Sequence, residues 1–192
     1  MSEKAAVFID GGYLDRVLQD QGIARVNLER LSNKIVGRDL RLRSYYYHCS
    51  VYQSNPPTLE EKDRFQKKER FFNALRRLNA FDVRLGYLVF KGKDHLGNPI
   101  FQQKGVDIHM AVDLMRLSLQ NKIDIAYLIA GDGDLLPLVV SAKDAGVFVH
   151  LYYGNGPTSN YSQQLWDACD ARRLMDHELL KDCLLPGTIS EE

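Results

Sequence analysis

A chain of 192 residues can bury a sizeable core without disulfides or metals, so a single domain is expected. Its 25 Lys plus Arg balance 25 Asp plus Glu, which excludes a nucleic-acid binder that works by global charge. Any basic surface must be local, or be built by pairing two chains as a homodimer. Cys49, Cys169 and Cys183 are odd in number and form no C-x-x-C pair, which argues against a disulfide framework or a thiolate zinc site. Reduced thiols in the cytoplasm are expected, and no leader-like or long apolar stretch points to export or to a membrane.

Ala5 to Ile9 reads as a short apolar strand, stopped by Asp10, Gly11 and Gly12, where a carboxylate precedes two residues that permit a sharp turn. Tyr13 to Gln19 is a short helix broken at Gly22, and Asn27 caps a second helix to Val36 with Leu28, Leu31 and Ile35 on one face. Leu40 to His48 alternates and is rich in tyrosine, so it is a strand. At least one of Tyr45, Tyr46 and Tyr47 must face the core, and the others are candidates for stacking on bases.

Thr58 with Glu61 gives a capping-box pattern for a long helix to about Asn79, whose core side is expected at Phe65, Phe71, Phe72, Leu75 and Leu78. Its basic residues Arg64, Lys67, Lys68, Arg70, Arg76 and Arg77 are interspersed with acids, and a solvated face is the better reading. Asp82 to Phe90 is a further strand, and the glycine- and proline-bearing stretch around 89–104 is a hairpin excursion from the sheet. Gly105 then turns the chain into a helix from Val106 to Leu119, apolar around most of its circumference and therefore expected to be largely buried.

Ile125 to Ile129 is uniformly apolar and too short for an amphipathic helix, as expected of a central parallel strand covered on both faces. It ends at Gly131, and Asp132 and Asp134 begin the next helix, which Gly146 stops. Val147 to Tyr152 is another strand, followed by a loop holding Ser159 and Asn160 and a helix near Tyr161 to Ala168. Arg172 to Met175 is a short edge strand and Asp176 to Leu184 a terminal helix. The domain is expected over 1–185, with 186–192 a flexible tail.

This rhythm predicts an α/β fold with a mainly parallel central sheet flanked by helices, in which every strand-to-helix junction opens on one edge. Asp10, Asp107, Asp132 and Asp134 stand at such junctions, and Asp113 lies one to two turns further along the helix of Asp107. Any one of these acids is accounted for as a helix cap, but four at one rim repel each other and suit an all-oxygen cation site for Mg²⁺ or Mn²⁺. Such an ion promotes phosphodiester hydrolysis with no covalent nucleophile or histidine base.

At these residues the chain resembles the NYN-domain family, the LabA-like branch of the PIN-like nucleases. The resemblance rests on Ile9-Asp10-Gly11-Gly12-Tyr13-Leu14, on Lys104-Gly105-Val106-Asp107 with Asp113, and on Ala130-Gly131-Asp132-Gly133-Asp134-Leu135-Leu136-Pro137-Leu138. Leu165 to Asp170 is similar to the family's closing L-x-x-x-A-D pattern. The resemblance implies a Rossmann-like PIN fold and a metal-dependent ribonuclease, with Asp10, Asp107, Asp132 and Asp134 catalytic and metal-binding and Asp113 assisting. Tyr13, Lys104, Ser159 and Asn160 are the candidate contacts to RNA.

Tyr13 stands where the family has asparagine, Ala130 where it has serine, and Leu135 where it has phenylalanine. The first departure bears on catalysis and keeps a second expectation open, a catalytically silent regulatory or RNA-binding domain. A phosphatase using Asp10 as nucleophile would want an acid at position 12, and Gly12 excludes it.

Overall fold

In the computed structural model, which describes residues 2–97 and 99–185, the chain forms one seven-stranded sheet in the order β4-β3-β2-β1-β5-β6-β7. The strands are β1 (Lys4–Asp10), β2 (Leu40–Cys49), β3 (Phe81–Lys93), β4 (Pro99–Lys104), β5 (Ile125–Ile129), β6 (Phe148–Tyr153) and β7 (Ala171–Leu174). All pairings are parallel except β3 with β4, the hairpin at one edge. The segment 186–192, expected as a tail, lies outside the described residues.

The helices are α1 (Gly11–Asp20), α2 (Leu28–Val36), α3 (Leu59–Arg76), α4 (Val106–Leu119), α5 (Leu136–Asp144), α6 (Gln163–Ala168) and α7 (His177–Leu180). They lie on both faces of the sheet, and the alternation of side chains along each strand feeds both cores. In β1, Ala5, Val7 and Ile9 join the core under α1, α2 and α7, while Ala6 and Phe8 join the one under α4, α5 and α6. β5 is buried at every position, as its uniform apolar run requires.

Local chemistry sets most boundaries. Thr58 and Glu61 complete the capping box of α3, and Asn27 accepts the Arg30 N–H at the start of α2. Where α5 was expected to start at Asp132, a single 3-10 turn (Gly133–Leu135) intervenes and α5 begins at Leu136, with Pro137 in its first turn. Proline needs no backbone N–H there.

Three expectations are corrected. All three of Tyr45, Tyr46 and Tyr47 are buried, at 2%, 2% and 0% exposure, so none presents a ring to a base: Tyr45 and Tyr47 point to one core and Tyr46 to the other. Helix α3 buries fully only Phe72 and Leu75, because it meets the sheet along one narrow stripe and leaves Phe71 at its margin. Helix α4 buries Val106, Met110, Leu114 and Leu117 but leaves Ile108, Val112 and Leu119 exposed, so its apolar circumference is only half covered.

Candidate functional site

The parallel strands end along one edge, and the register fixes who meets there. Ile9 lies opposite Ile129, and Asp10 lies opposite Tyr47. Asp10 leaves β1 and caps α1, its Oδ1 accepting the Tyr13 N–H at 3.0 Å. Asp132 does the same beyond β5, with its Oδ1 accepting the Asp134 N–H at 2.9 Å. Gly105 takes φ +85° with no side-chain cap, a left-handed turn that brings the chain from β4 into α4 and sets Asp107 in the first turn of that helix.

These junctions converge electrostatically. Partial desolvation raises the pKa of Asp107 above its ordinary value, and the carboxylates of Asp10, then Asp132, then Asp134 raise it further. Burial also raises that of Asp10, against the Tyr13 N–H and the Arg16 guanidinium, which lower it. The Cys49 thiol at the end of β2 is raised chiefly by burial and also by the charges of Asp10 and Asp107, which places it within reach of both. Four carboxylates from three separate chain segments therefore share one rim. Among the described residues, however, no three His, Cys, Asp or Glu side chains are already grouped to hold one metal ion.

Asp113 stands apart from this set. Its side chain is 7% exposed, and its oxygens accept from Tyr47 Oη at 3.2 Å, Arg84 Nε at 3.1 Å and Arg116 Nη2 at 2.8 Å. A carboxylate so engaged ties α4 to β2 and β3. Its place in the sequence, one to two turns below Asp107, carries it away from the rim and into the sheet.

Tyr13 is not on the rim either. At 1% exposure its hydroxyl accepts the Gly154 N–H at 2.9 Å and donates to the Ser159 carbonyl at 3.1 Å, so it staples α1 to the loop after β6. Its ring lies against Gly131, where any Cβ would collide with it, and the Ser162 N–H beyond the same loop donates to the Gly131 carbonyl at 2.8 Å. The tyrosine thus buttresses the turn that carries Asp132, and the missing asparagine is replaced by a packing element.

Ser159, expected to touch substrate, is 1% exposed, and its hydroxyl donates to Asp20 at 2.6 Å. Asn160 and Lys104 are exposed. Asp20 went unremarked in the sequence. It also accepts the N–H groups of Thr158 and Ser159 and the Thr158 hydroxyl, and these bonds hold its pKa below the ordinary value even though desolvation opposes them. No spacing signal links residues so far apart in the chain.

The basic residues of α3 are largely exposed, as expected of a solvated face, with Arg64, Lys67 and Arg70 open to solvent. Arg64, Lys67, Lys68 and Phe71 follow the i, i+3, i+4, i+7 pattern of one helix face, and with Arg70 they line a single groove beside α1.

A family model described as the NYN domain matches residues 4–176. A search of curated proteins finds no significant match. Among solved structures, the chain is similar to a crystal structure of VPA0982 from Vibrio parahaemolyticus RIMD 2210633, described as a protein of unknown function. The two share 20% identity with a TM-score of 0.60 over 96% of this chain and 97% of that one, a likeness of fold. Among the described residues, no helix is long and apolar enough to cross a membrane. The match to the NYN model spans the sheet from β1 through β7 and includes all four rim carboxylates, and on that ground the chain belongs to the NYN domain family.

Proposed function

We propose that the chain is a divalent-metal-dependent ribonuclease of the LabA-like branch, acting on cytoplasmic RNA at the acidic rim. The observation that carries this reading is that β1, β5 and the returning β3–β4 hairpin lead into Asp10, Asp132 with Asp134, and Asp107 along one edge of the sheet, where the neighbouring charges add to the desolvation that raises the pKa of Asp107. Capping accounts for Asp10 and Asp132 but not for Asp107 and Asp134 gathered beside them, whereas a cation relieves the repulsion of all four.

The donor set fits a hard ion such as Mg²⁺ or Mn²⁺, since it is all carboxylate oxygen with no thiolate or imidazole among the four. When bound there, the ion supplies charge screening for a phosphodiester and a more acidic water. Asp10, Asp107, Asp132 and Asp134 are the proposed holders. Among the described residues no three such side chains are already grouped, so binding would draw these carboxylates together. Lys104 and Asn160, both exposed, are the proposed contacts to phosphate and sugar. Tyr13 is a positioning residue, holding the Asp132 turn through Gly131 and the loop through Gly154 and Ser159.

A second reading, a silent RNA-binding or regulatory domain, draws on the same open rim and on the buried tyrosine at position 13. Incubating mixed labelled RNAs with the chain and Mg²⁺ or Mn²⁺, beside Asp132→Asn, separates the two. The nuclease reading expects metal-dependent cleavage that falls at least about a hundredfold in the variant, the scale of losing one transition-state contact. RNA that binds but stays intact in both proteins supports the silent domain.

A further inference from the structure

A groove of about 700 Å³ opens between α1 and α3, in the size range of small-molecule sites. Its floor is aliphatic, made by Leu14, Leu18, Val26, Leu28 and Val51, and its inner wall is Tyr46. Its charged lining is one-sided: Arg25, Arg64, Lys67, Lys68 and Arg70 against the single acid Asp15. Lys67 is matched by Asp63 on its own helix at 2.7 Å, which leaves the remaining cations in clear excess over Asp15.

Lys68 is the half-buried member of this set. Its side chain is 26% exposed, its Nζ lies 3.9 Å from Asp15, 3.1 Å from His48 Nε2 and 5.5 to 5.6 Å from the ring centres of Phe72 and Phe71. Desolvation lowers its pKa, against the pull of Asp15. Asp15 is shared with His48, 3.4 Å from its Nε2, and is outnumbered by the cations of the groove, so an anion at this end would meet an excess of positive charge.

We propose that the groove binds a free single-chain aliphatic carboxylate, with its chain on the leucine and valine floor and its head between Lys68 and the rim arginines. Guanidinium groups take a carboxylate in paired hydrogen bonds, and the floor offers hydrocarbon and no polar side chain. A nucleic-acid strand fits less well. Tyr46 is 2% exposed, the partly exposed ring of Phe71 already carries Lys68 Nζ at 5.6 Å from its centre, and the polar edges of a base would go unpaired over aliphatic carbons.

The site stands independently of the nuclease reading, and so does its test: calorimetric titration of the full chain with decanoate below its micellar range, beside decanol. One equivalent of decanoate is expected to bind at least about tenfold more tightly than decanol, because the charged head adds a charge-assisted contact. Leu18→Trp, which fills the floor, is expected to abolish binding. Arg64→Glu and Arg70→Glu sit on the exposed side of α3, so their folding is not at issue, and each is expected to weaken binding at least about tenfold. Lys122→Glu, in the exposed turn after α4, is expected to leave it unchanged.

Absence of decanoate binding, or equal binding of decanol, overturns the proposal. So does short single-stranded RNA that binds through Arg64 and Arg70 where decanoate does not, since that makes the groove a strand path. Decanoate binding that emerges only on deletion of residues 186–192 also overturns it, by making that segment the occupant.

Discussion

The double hydrogen bond of Tyr13 makes the most quantitative prediction. Tyr13→Phe keeps the ring against Gly131 and removes only the hydroxyl, which leaves the buried Gly154 N–H and the Ser159 carbonyl without their partner. A buried polar group left unsatisfied costs about 1–3 kcal/mol. The Ser159 carbonyl leads into exposed Asn160 and can recover some water, so the loss should total about 2 kcal/mol. For a chain of this size that is a fall of about 4–8 °C in melting temperature, at about 2–4 °C per kcal/mol. Urea unfolding followed by circular dichroism should show a lower midpoint at an unchanged slope. Tyr13→Asn, which brings back the family's residue, should cost more, about 3–5 kcal/mol, because the ring is lost as well. It should lower turnover instead of raising it. A Tyr13→Phe protein within about 0.5 kcal/mol of the parent, the spread of ordinary surface substitutions, would refute the stapling account.

Other predictions follow from the same contacts. Asp20→Ala removes the acceptor of the Thr158 and Ser159 bonds, and hydrogen exchange should show faster exchange confined to 154–160. Because the folded-state pKa of Asp20 is depressed, the same loop in the parent should loosen as pH falls through that value and stay protected above 3.8. Asp107 has the opposite sign: its raised pKa means stability that is present below 3.8 and lost as pH rises through the folded value. Asp107→Asn should therefore raise the melting temperature of the metal-free chain at pH 7, with the gain vanishing below 3.8. Asp113→Ala strips Arg84, Arg116 and Tyr47 of their shared acceptor and should destabilise by about 1–3 kcal/mol while leaving Mn²⁺ affinity unchanged.

Elements governed by local chemistry could be read from the sequence. The uniform run Ile125 to Ile129, the capping box at Thr58 and Glu61, and the carboxylates placed at strand ends all became what their neighbours in sequence dictate. Long-range pairing could not be read. The resemblance makes Tyr13 a candidate contact to RNA, yet its fate is decided by Gly131, Gly154 and Ser159, far along the chain. Asp113 was grouped with Asp107 by spacing, whereas Arg84 on another strand claims it. The α3 groove depended on which side of the helix the sheet leaves uncovered, and the tyrosines of β2 on a sheet covered from both faces.

The central claim is that Asp10, Asp107, Asp132 and Asp134 form one divalent-metal centre, and direct titration of Mn²⁺ followed by electron paramagnetic resonance tests it without reference to cleavage. The account predicts saturable binding to the metal-free chain, weakened at least about tenfold by Asp107→Asn and by Asp132→Asn, competed by Mg²⁺, and untouched by Asp113→Asn. Mn²⁺ that stays free at millimolar concentration, or binds equally well to the Asp107→Asn and Asp132→Asn proteins, would contradict it.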